Sequence, residues 1–332
     1  MKFMKVLVTG GAGYIGSNMV YNLIDKGFKV EVIDNLSTGK KSQLPKNIKL
    51  HLTDIGNFDI VDKILHQGKF DAVIHFAASI VVPESVINPI KYYSNNTFQT
   101  LNFLRACVKN KIEKFIFSST AAVYEGKSKK NLNEESITNP SSPYGMSKLM
   151  SENMIKDICT LNNISFIIFR YFNVAGADKL LRCGQQNKLA THLIKVGCEV
   201  ALKKRNYLSI FGNDFETFDG TGVRDYIHVQ DLVDAHFEGL KYMNNHNTTN
   251  LVLNCGYSRG FSVNQVVKQF KSILSSQGSN VTFKTRVAPR RLGDPAYIVS
   301  DNSLILKTLS WKPKFDSLET IISDSLEWEK IL

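Results

Sequence analysis

Two groups of residues carry chemistry in their types and spacing. Tyr144 and Lys148 stand four residues apart, directly after Ser142-Pro143. Ser-Pro reads as a helix start, and a spacing of four puts both side chains on one helical face. A phenol titrates near pH 10 and is a poor base at neutrality, but a nearby ammonium favours the phenolate. Such a pair can take a proton from a hydroxyl and give it back. The second group is Thr9-Gly10-Gly11-Ala12-Gly13-Tyr14-Ile15-Gly16. It follows an apolar run and opens a helical pattern. Its glycines satisfy both Gly11-x-Gly13-x-x-Gly16 and Gly10-x-x-Gly13-x-x-Gly16. Glycine permits a tight turn, close approach of a pyrophosphate, and close packing of helix on strand. The helix start then presents free N–H groups and a positive dipole end.

Asp34 stands eighteen residues after Gly16, at the end of the second apolar run. A carboxylate there accepts the ribose hydroxyls of a dinucleotide and repels a 2′-phosphate, which favours NAD over NADP. Lys40 and Lys41 follow nearby and keep NADP in contention. An oxidised nicotinamide would add to the charge favouring the phenolate of Tyr144.

The elements that must position these groups are legible as alternating patterns. Apolar runs at Lys5–Thr9, Lys29–Ile33, Ala72–Phe76, Phe115–Ser118 and Phe166–Tyr171 read as strands. Helix-period segments lie near Tyr14–Lys26, Asn57–His66, Asn95–Asn110 and Tyr144–Asn162. The alternation predicts an α/β fold, a doubly wound parallel sheet of the Rossmann type covered on both faces. Its ligand crevice should lie at the carboxyl ends of the strands. Residues 1–176 form the NAD-binding part. Residues 177–332 form a smaller mixed substrate-binding part, in which Phe211–Arg224 and Val287–Pro295 read as ordered loops. A strand over Asn250–Cys255 is expected to return to the main sheet.

Composition narrows the function classes. The chain has 332 residues, 43% hydrophobic and 21% charged, an ordinary globular balance. The net charge of +11 comes from scattered lysines. No basic stripe with interleaved aromatics suggests nucleic acid. No apolar run approaches the ~20 residues of a membrane span, and the N-terminus does not read as a signal peptide. The five widely spread cysteines indicate neither a disulfide framework nor a zinc site. A cytoplasmic location follows by default.

The chain resembles the extended short-chain dehydrogenases and, within them, the UDP-galactose 4-epimerases. The likeness runs through Thr9–Gly16, Asp34-Asn35-Leu36, His75-Phe76-Ala77-Ala78, Phe115–Tyr124, Pro143–Lys148, Arg170-Tyr171-Phe172-Asn173, Asp219–Val229 and Pro289–Pro295. The resemblance implies that UDP-glucose and UDP-galactose interconvert through a 4-keto sugar with tightly bound NAD. Tyr144 would be the base at the sugar 4-hydroxyl, Lys148 would hold the nicotinamide ribose, and Thr120 would supply a hydroxyl to the 4-oxygen. Gly10, Gly13, Tyr14, Ile15, Gly16, Asp34, Asn35, Asp54, Ile55, Phe76, Ala77, Asn95, Ser118 and Phe172 would line the cofactor. Asn173, Leu189, Phe211, Arg224, Tyr226, Arg291 and Asp294 would hold the UDP-sugar, the arginines reaching its diphosphate. A homodimer is implied as well, packed through the helices after Asn95 and Tyr144.

Rival functions stay open at this point. A related dehydratase would carry an acid directly after the threonine, but Ala121 and Ala122 stand there. A nucleotide-sugar reductase would exchange its cofactor, and a non-enzymatic NAD-binding regulator would not need Tyr144, Lys148 and Thr120 together. Two departures from the family pattern are Ile80, where several epimerases have lysine, and Glu125, where glycine is frequent. The resemblance leans toward the bacterial branch that also handles UDP-N-acetylglucosamine and UDP-N-acetylgalactosamine. Ungapped alignment places Ile298, not Tyr297, at the position that gates the 2-substituent.

Overall fold

The structure is a computed structural model that describes residues 4–127, 130–187, 191–246, 248–291 and 293–332. The first half alternates as the apolar periodicity predicts. In order come β1 (Lys5–Thr9), α1 (Tyr14–Asp25), β2 (Lys29–Asp34), β3 (Lys49–Leu52), α2 (Phe58–Gly68) and β4 (Ala72–His75). Then follow α3 (Val82–Ile87), α4 (Pro89–Tyr92), α5 (Gln99–Lys109), β5 (Lys114–Ser118), α6 (Pro143–Leu161) and β6 (Ser165–Tyr171).

After β7 (Asn173–Ala175) the elements become shorter. They are α7 (Leu193–Ala201), β8 (Leu208–Phe211), β9 (Val223–His228), α8 (Val229–Asn245), β10 (Asn250–Cys255) and β11 (Gly260–Ser262). The chain closes with α9 (Val263–Ser276), β12 (Thr285–Ala288), β13 (Tyr297–Ile298), α10 (Ser303–Thr308) and α11 (Leu318–Lys330).

Seven parallel strands in the order β10-β6-β5-β4-β1-β2-β3 form the main sheet. Strand order reverses between β1 and β4, and a doubly wound sheet opens a crevice at that point. The central strands are apolar on both sides because both faces are covered. Met19, Val20 and Leu23 of α1 and Leu232, Val233 and Leu240 of α8 fill one side. Leu65 of α2, Phe103 and Leu104 of α5 and Ile155 of α6 fill the other.

The strand expected at Asn250–Cys255 pairs with β6 along its full length. Helix α8 also returns to the main sheet, where Asp234 accepts from Asn22 of α1 and from Lys26 just after it at 2.8 Å each. The smaller C-terminal unit is built on β9, flanked by β11, β13 and β7, with a separate β8–β12 pair. Its core is held by α7, α9 and α11 around Phe270, Ile321 and Ile322.

Three departures from expectation have physical causes. The span Asn95–Asn110 is not one regular helix, because a π-helical turn covers Tyr93–Phe98 before α5. The segments around 211–224 and 287–295 are not wholly loops: Phe211 closes β8, Val223 opens β9 and Ala288 closes β12. Strands β8 and β12 have four residues each and pair only with each other, and β9 pairs with strands of two or three residues, so little alternation is readable. Strand β3 reads Lys-Leu-His-Leu with no fully buried residue, so it lacks the apolar run that marks the other main-sheet strands.

Among the described residues no helix is long and apolar enough to cross a membrane. The five cysteines are free and buried.

Candidate active site

The glycine turn is shaped by two close approaches. Gly10 has φ +67, and a Cβ there would lie 2.6 Å from the backbone nitrogen of Ala77 after β4. A Cβ on Gly16 would lie 2.1 Å from the carbonyl oxygen of Gly10. The turn therefore packs directly against the loop after β4 at the switch point. No side chain caps the start of α1 and no acid lies in its first turn, so its free N–H groups and dipole suit an anion. Asp34 lies across from the turn, accepting from the backbone N–H of Ala12 at 2.9 Å and of Leu36 at 2.8 Å. Burial pushes its carboxyl above the ordinary range, opposed by those two donors. A carboxylate has about four acceptor sites, so two remain for a diol. Lys40 and Lys41 are exposed. These residues fit an adenine dinucleotide without a 2′-phosphate.

The flanks of the crevice are equally ordered. Tyr14 donates its hydroxyl to the carbonyl of Gly176 at 2.6 Å, tying the glycine turn to the end of β7. Asn35 donates to Asp54 at 2.9 Å, and Asp54 also accepts from the backbone of Gly56. Ile55 is buried in the core beneath them. Ile15, Phe76 and Ala77 are half-buried along the wall. The π turn aims two asparagines at one serine. Asn95 donates to the Ser79 hydroxyl at 3.1 Å, while Asn96 accepts from the Ser79 backbone at 2.8 Å. Ile80, where several epimerases carry lysine, is 44% exposed. Glu125 pairs with Lys127 at 2.8 Å. Gly126, one residue later, has φ +72 and takes the left-handed corner, so the turn keeps its glycine in a shifted place.

Helix α6 delivers the candidate base. Ser142 caps it, its hydroxyl accepting from the N–H of Gly145 at 3.2 Å, with Pro143 in the first turn. Tyr144 is 7% exposed, and the Thr120 hydroxyl stands near enough to favour its phenolate. Thr120 ends the run after β5 and caps a short turn by accepting from Ala122 at 3.1 Å. Lys148 is buried, but its ammonium donates to the carbonyl of Ser118 at 2.8 Å and lies over the ring of Phe117. Burial lowers Lys148 to about 7, opposed by Glu152. Burial also raises the phenol of Tyr144, against the neighbouring Thr120 hydroxyl. Desolvation thus opposes the lowering expected from Lys148 and an oxidised nicotinamide together.

Beneath the site, Ser118 donates toward the unprotonated Nε2 of His236 at 3.0 Å, because the Nδ1–H of that ring is committed to the carbonyl of Leu232. Phe172 is buried with Ala121, Val123, Tyr124 and Ile298.

The C-terminal elements close the crevice. Arg224 on β9 pairs with Asp294 at 2.5 Å and donates to the carbonyl of Pro295 at 2.7 Å. Arg291 stacks on Phe211 with 3.9 Å between guanidinium and ring centre. Burial and the neighbouring Arg224 lower Arg291, while Asp294 raises it. Two guanidiniums converging beside one carboxylate suit a bidentate anion such as a diphosphate. Asn173 lies beside Tyr226 in the β7–β9 register. Leu189 lies outside the described residues. A small cavity next to Asn173 and Tyr226 is lined by His192 and Leu193, which sequence reasoning missed. Burial and Arg291 hold His192 below its usual pKa. A single histidine before a helix carries no spacing signal, so only the fold reveals it.

Comparison with known proteins gives the family. Residues 6–256 match the model of the NAD dependent epimerase/dehydratase family. The chain belongs to that family. It is 46% identical over 328 residues to a UDP-glucose 4-epimerase of Azospirillum brasilense, covering 99% of this chain and 92% of the relative. A crystal structure of a UDP-glucose 4-epimerase superposes with a TM-score of 0.93 at 38% identity, covering 98% of both chains. The UDP-Glc/GlcNAc 4-epimerase of Campylobacter jejuni superposes with a TM-score of 0.84 at 43% identity, covering 99% of this chain and 100% of that one.

Proposed function

We propose that the chain is a UDP-glucose 4-epimerase interconverting UDP-glucose and UDP-galactose, with Tyr144 as the single acid–base group. The observation that carries this is the placement of buried Tyr144 and Lys148 on one helix of an NAD fold, with Lys148 bonded to the Ser118 carbonyl and the Thr120 hydroxyl beside Tyr144. NAD, when bound, supplies a reversible hydride acceptor for carbon 4 of the sugar. Gly10, Gly13 and Gly16 form the cradle for its diphosphate and Asp34 meets its ribose. Asn35, Asp54, Phe76, Ala77, Asn95, Ser118 and Phe172 line the rest. Residues 1–176 thus carry the cofactor, and residues 177–332 supply most of the sugar-nucleotide site.

Tyr144 accepts the proton of the sugar 4-hydroxyl, and Thr120 hydrogen-bonds the same oxygen. Tyr144 then holds that proton until it returns to the 4-oxygen on the opposite sugar face. Arg224 and Arg291 grip the diphosphate, with Asn173, Phe211, Tyr226, His192 and Leu193 around them, so that the sugar alone turns. No further acid is required. Ala121 and Ala122 supply none next to Thr120, which separates this chain from the dehydratases that share its family name.

Dual substrate use is favoured by one observation. In β13 Tyr297 turns outward to hydrogen-bond Asn131 at 2.9 Å. Ile298 turns inward against Ala121, Tyr124 and Phe172, beside the loop that carries Thr120. An aliphatic side chain there leaves room for an N-acetyl group, so UDP-N-acetylglucosamine and UDP-N-acetylgalactosamine are proposed as further substrates.

A homodimer is proposed from an apolar strip on α3, α4 and the π turn, where Ile87 is 84% exposed and Ile90 77%, with Phe98 nearby. Met150 and Leu161 of α6 are exposed as well. A cytoplasmic location suits five free thiols.

The test is incubation with UDP-galactose and no added NAD. UDP-glucose is expected to form. Absence of product both without and with added NAD refutes the proposal.

A further inference from the structure

A second buried network lies one layer below the reacting groups. Glu152 follows Lys148 by one turn, so Tyr144, Lys148 and Glu152 form one stripe on α6. Its carboxylate is fully buried. Arg170, inside the apolar strand β6, donates to it through Nε at 3.0 Å and Nη2 at 2.7 Å. The hydroxyl of Ser119 donates to the same carboxylate. The remaining Nη1 of Arg170 donates to the hydroxyl of Tyr124 and the carbonyl of Glu134, each at 3.2 Å.

Stability does not account for this pair. A buried ion pair is typically no more stabilising than apolar side chains of equal volume. The pairing along the stripe is more informative. Three consecutive residues at the end of β5 and just beyond it each meet one residue of α6. The Ser118 carbonyl meets Lys148, the Ser119 hydroxyl meets Glu152, and the Thr120 hydroxyl meets Tyr144. The middle contact is the only one of the three made by a carboxylate that a second group, Arg170, holds in place.

We infer that Glu152 is a positioning residue for the reaction, locking the Ser118–Thr120 segment onto α6 through Ser119 and keeping Lys148 protonated by its charge. The inference rests on Tyr144 being the base. Around Lys148 stand Tyr144 and Glu152 on α6, the Phe117 ring and Ser118 carbonyl on β5, and His75 on β4, with Arg170 of β6 and Lys156 of α6 paired to Glu152 on its far side. Burial holds His75 near 3, so it is neutral. Glu152 is the one anion in that set, and it opposes the desolvation of Lys148. Losing it lowers the pH at which Lys148 gives up its proton. Losing the Ser119 contact frees the strand end that presents Thr120.

The experiment compares pH profiles of kcat for UDP-galactose on the holoenzyme. Glu152→Gln is expected to lower kcat about tenfold near neutral pH, with KM within about twofold. Its alkaline limb should move down by about one pH unit, the low end of the effect of one nearby opposite charge. That variant leaves Arg170 unpaired, so the double variant Glu152→Leu with Arg170→Met keeps the test decisive if Glu152→Gln fails to fold. The double variant removes one negative and one positive charge together, so it should lower kcat through the lost Ser119 contact while moving the limb less than Glu152→Gln. Glu152→Asp, which keeps the charge, should restore the limb. Folded Glu152 variants with wild-type limb and kcat overturn the inference, provided Tyr144→Phe is inactive. A Tyr144→Phe protein that still turns over instead removes the base assignment beneath it, a separate failure.

Discussion

Replacing Asp34 with Asn should weaken NAD and relax the exclusion of NADP by amounts the structure sets. Two of the roughly four acceptor sites of the carboxylate are occupied by Ala12 and Leu36. The other two are left for the ribose. A hydrogen bond to a charged group contributes about 1.5–3 kcal/mol. Losing the equivalent of one, roughly a factor of 10 to 100 in Kd, is expected because the amide oxygen still accepts. Over 332 residues, an unfolding entropy near 2.1 cal/mol/K per residue sums to about 0.7 kcal/mol/K. Cofactor-stripped wild type with NAD at 100 times Kd gains about 2.7 kcal/mol, or about 4 °C in Tm. At the same NAD concentration Asp34→Asn should gain about 2 °C or less. NADP should protect wild type less than NAD, and the difference should shrink in the variant as the repelling charge disappears. The assay is thermal unfolding of stripped protein with each dinucleotide. Protection of wild type by NADP at least equal to that by NAD would show that Lys40 and Lys41 outweigh the carboxylate. A full 4 °C retained by Asp34→Asn would place the ribose elsewhere.

Tyr144→Phe should keep its fold and its NAD while turnover falls by at least the ~100-fold typical of a lost general base; near-normal kcat would remove the phenol from the chemistry. Ile298→Tyr should cut kcat/KM for UDP-N-acetylglucosamine far more than for UDP-glucose. Equal losses on both substrates would show that Ile298 packs the wall without gating the 2-substituent. His75 and His236 are buried neutral, at about 3 and about 4 against an ordinary 6.5. Their folded values are depressed, so the stability they contribute is present above pH 6.5 and lost as pH falls toward 4. The slope approaches about 1.4 kcal/mol per pH unit for each. Urea midpoints at successive pH values should flatten when both are replaced by Gln, and an unchanged slope would refute the linkage.

Sequence and fold divide the site between them. The glycine turn, Asp34 and the Tyr144–Lys148 pair were legible because each is a local device. The turn needs glycines at set intervals, the acid follows at a set distance, and a helix puts i and i+4 on one face. The main-sheet strands, β10 included, were legible wherever burial on both faces made a continuous apolar run, and the exposed β3 was not.

What the tertiary structure decided are contacts between residues far apart in the chain. The partner of Lys148 depends on where β5 ends, and it proved to be the Ser118 carbonyl. Arg170 in an apolar strand announces that it needs a buried anion, yet only the packing of α6 on β6 selects Glu152. The inward turn of Ile298 and the outward turn of Tyr297 are set by the β13–β9 register, Tyr297 beside Val223 and Ile298 beside Arg224. A two-residue strand has no periodicity of its own, and a slip of one residue exchanges its faces. Local chemistry is written in spacing along the chain; which groups meet across 30, 70 or 160 residues is settled only when the sheet and its covering helices pack.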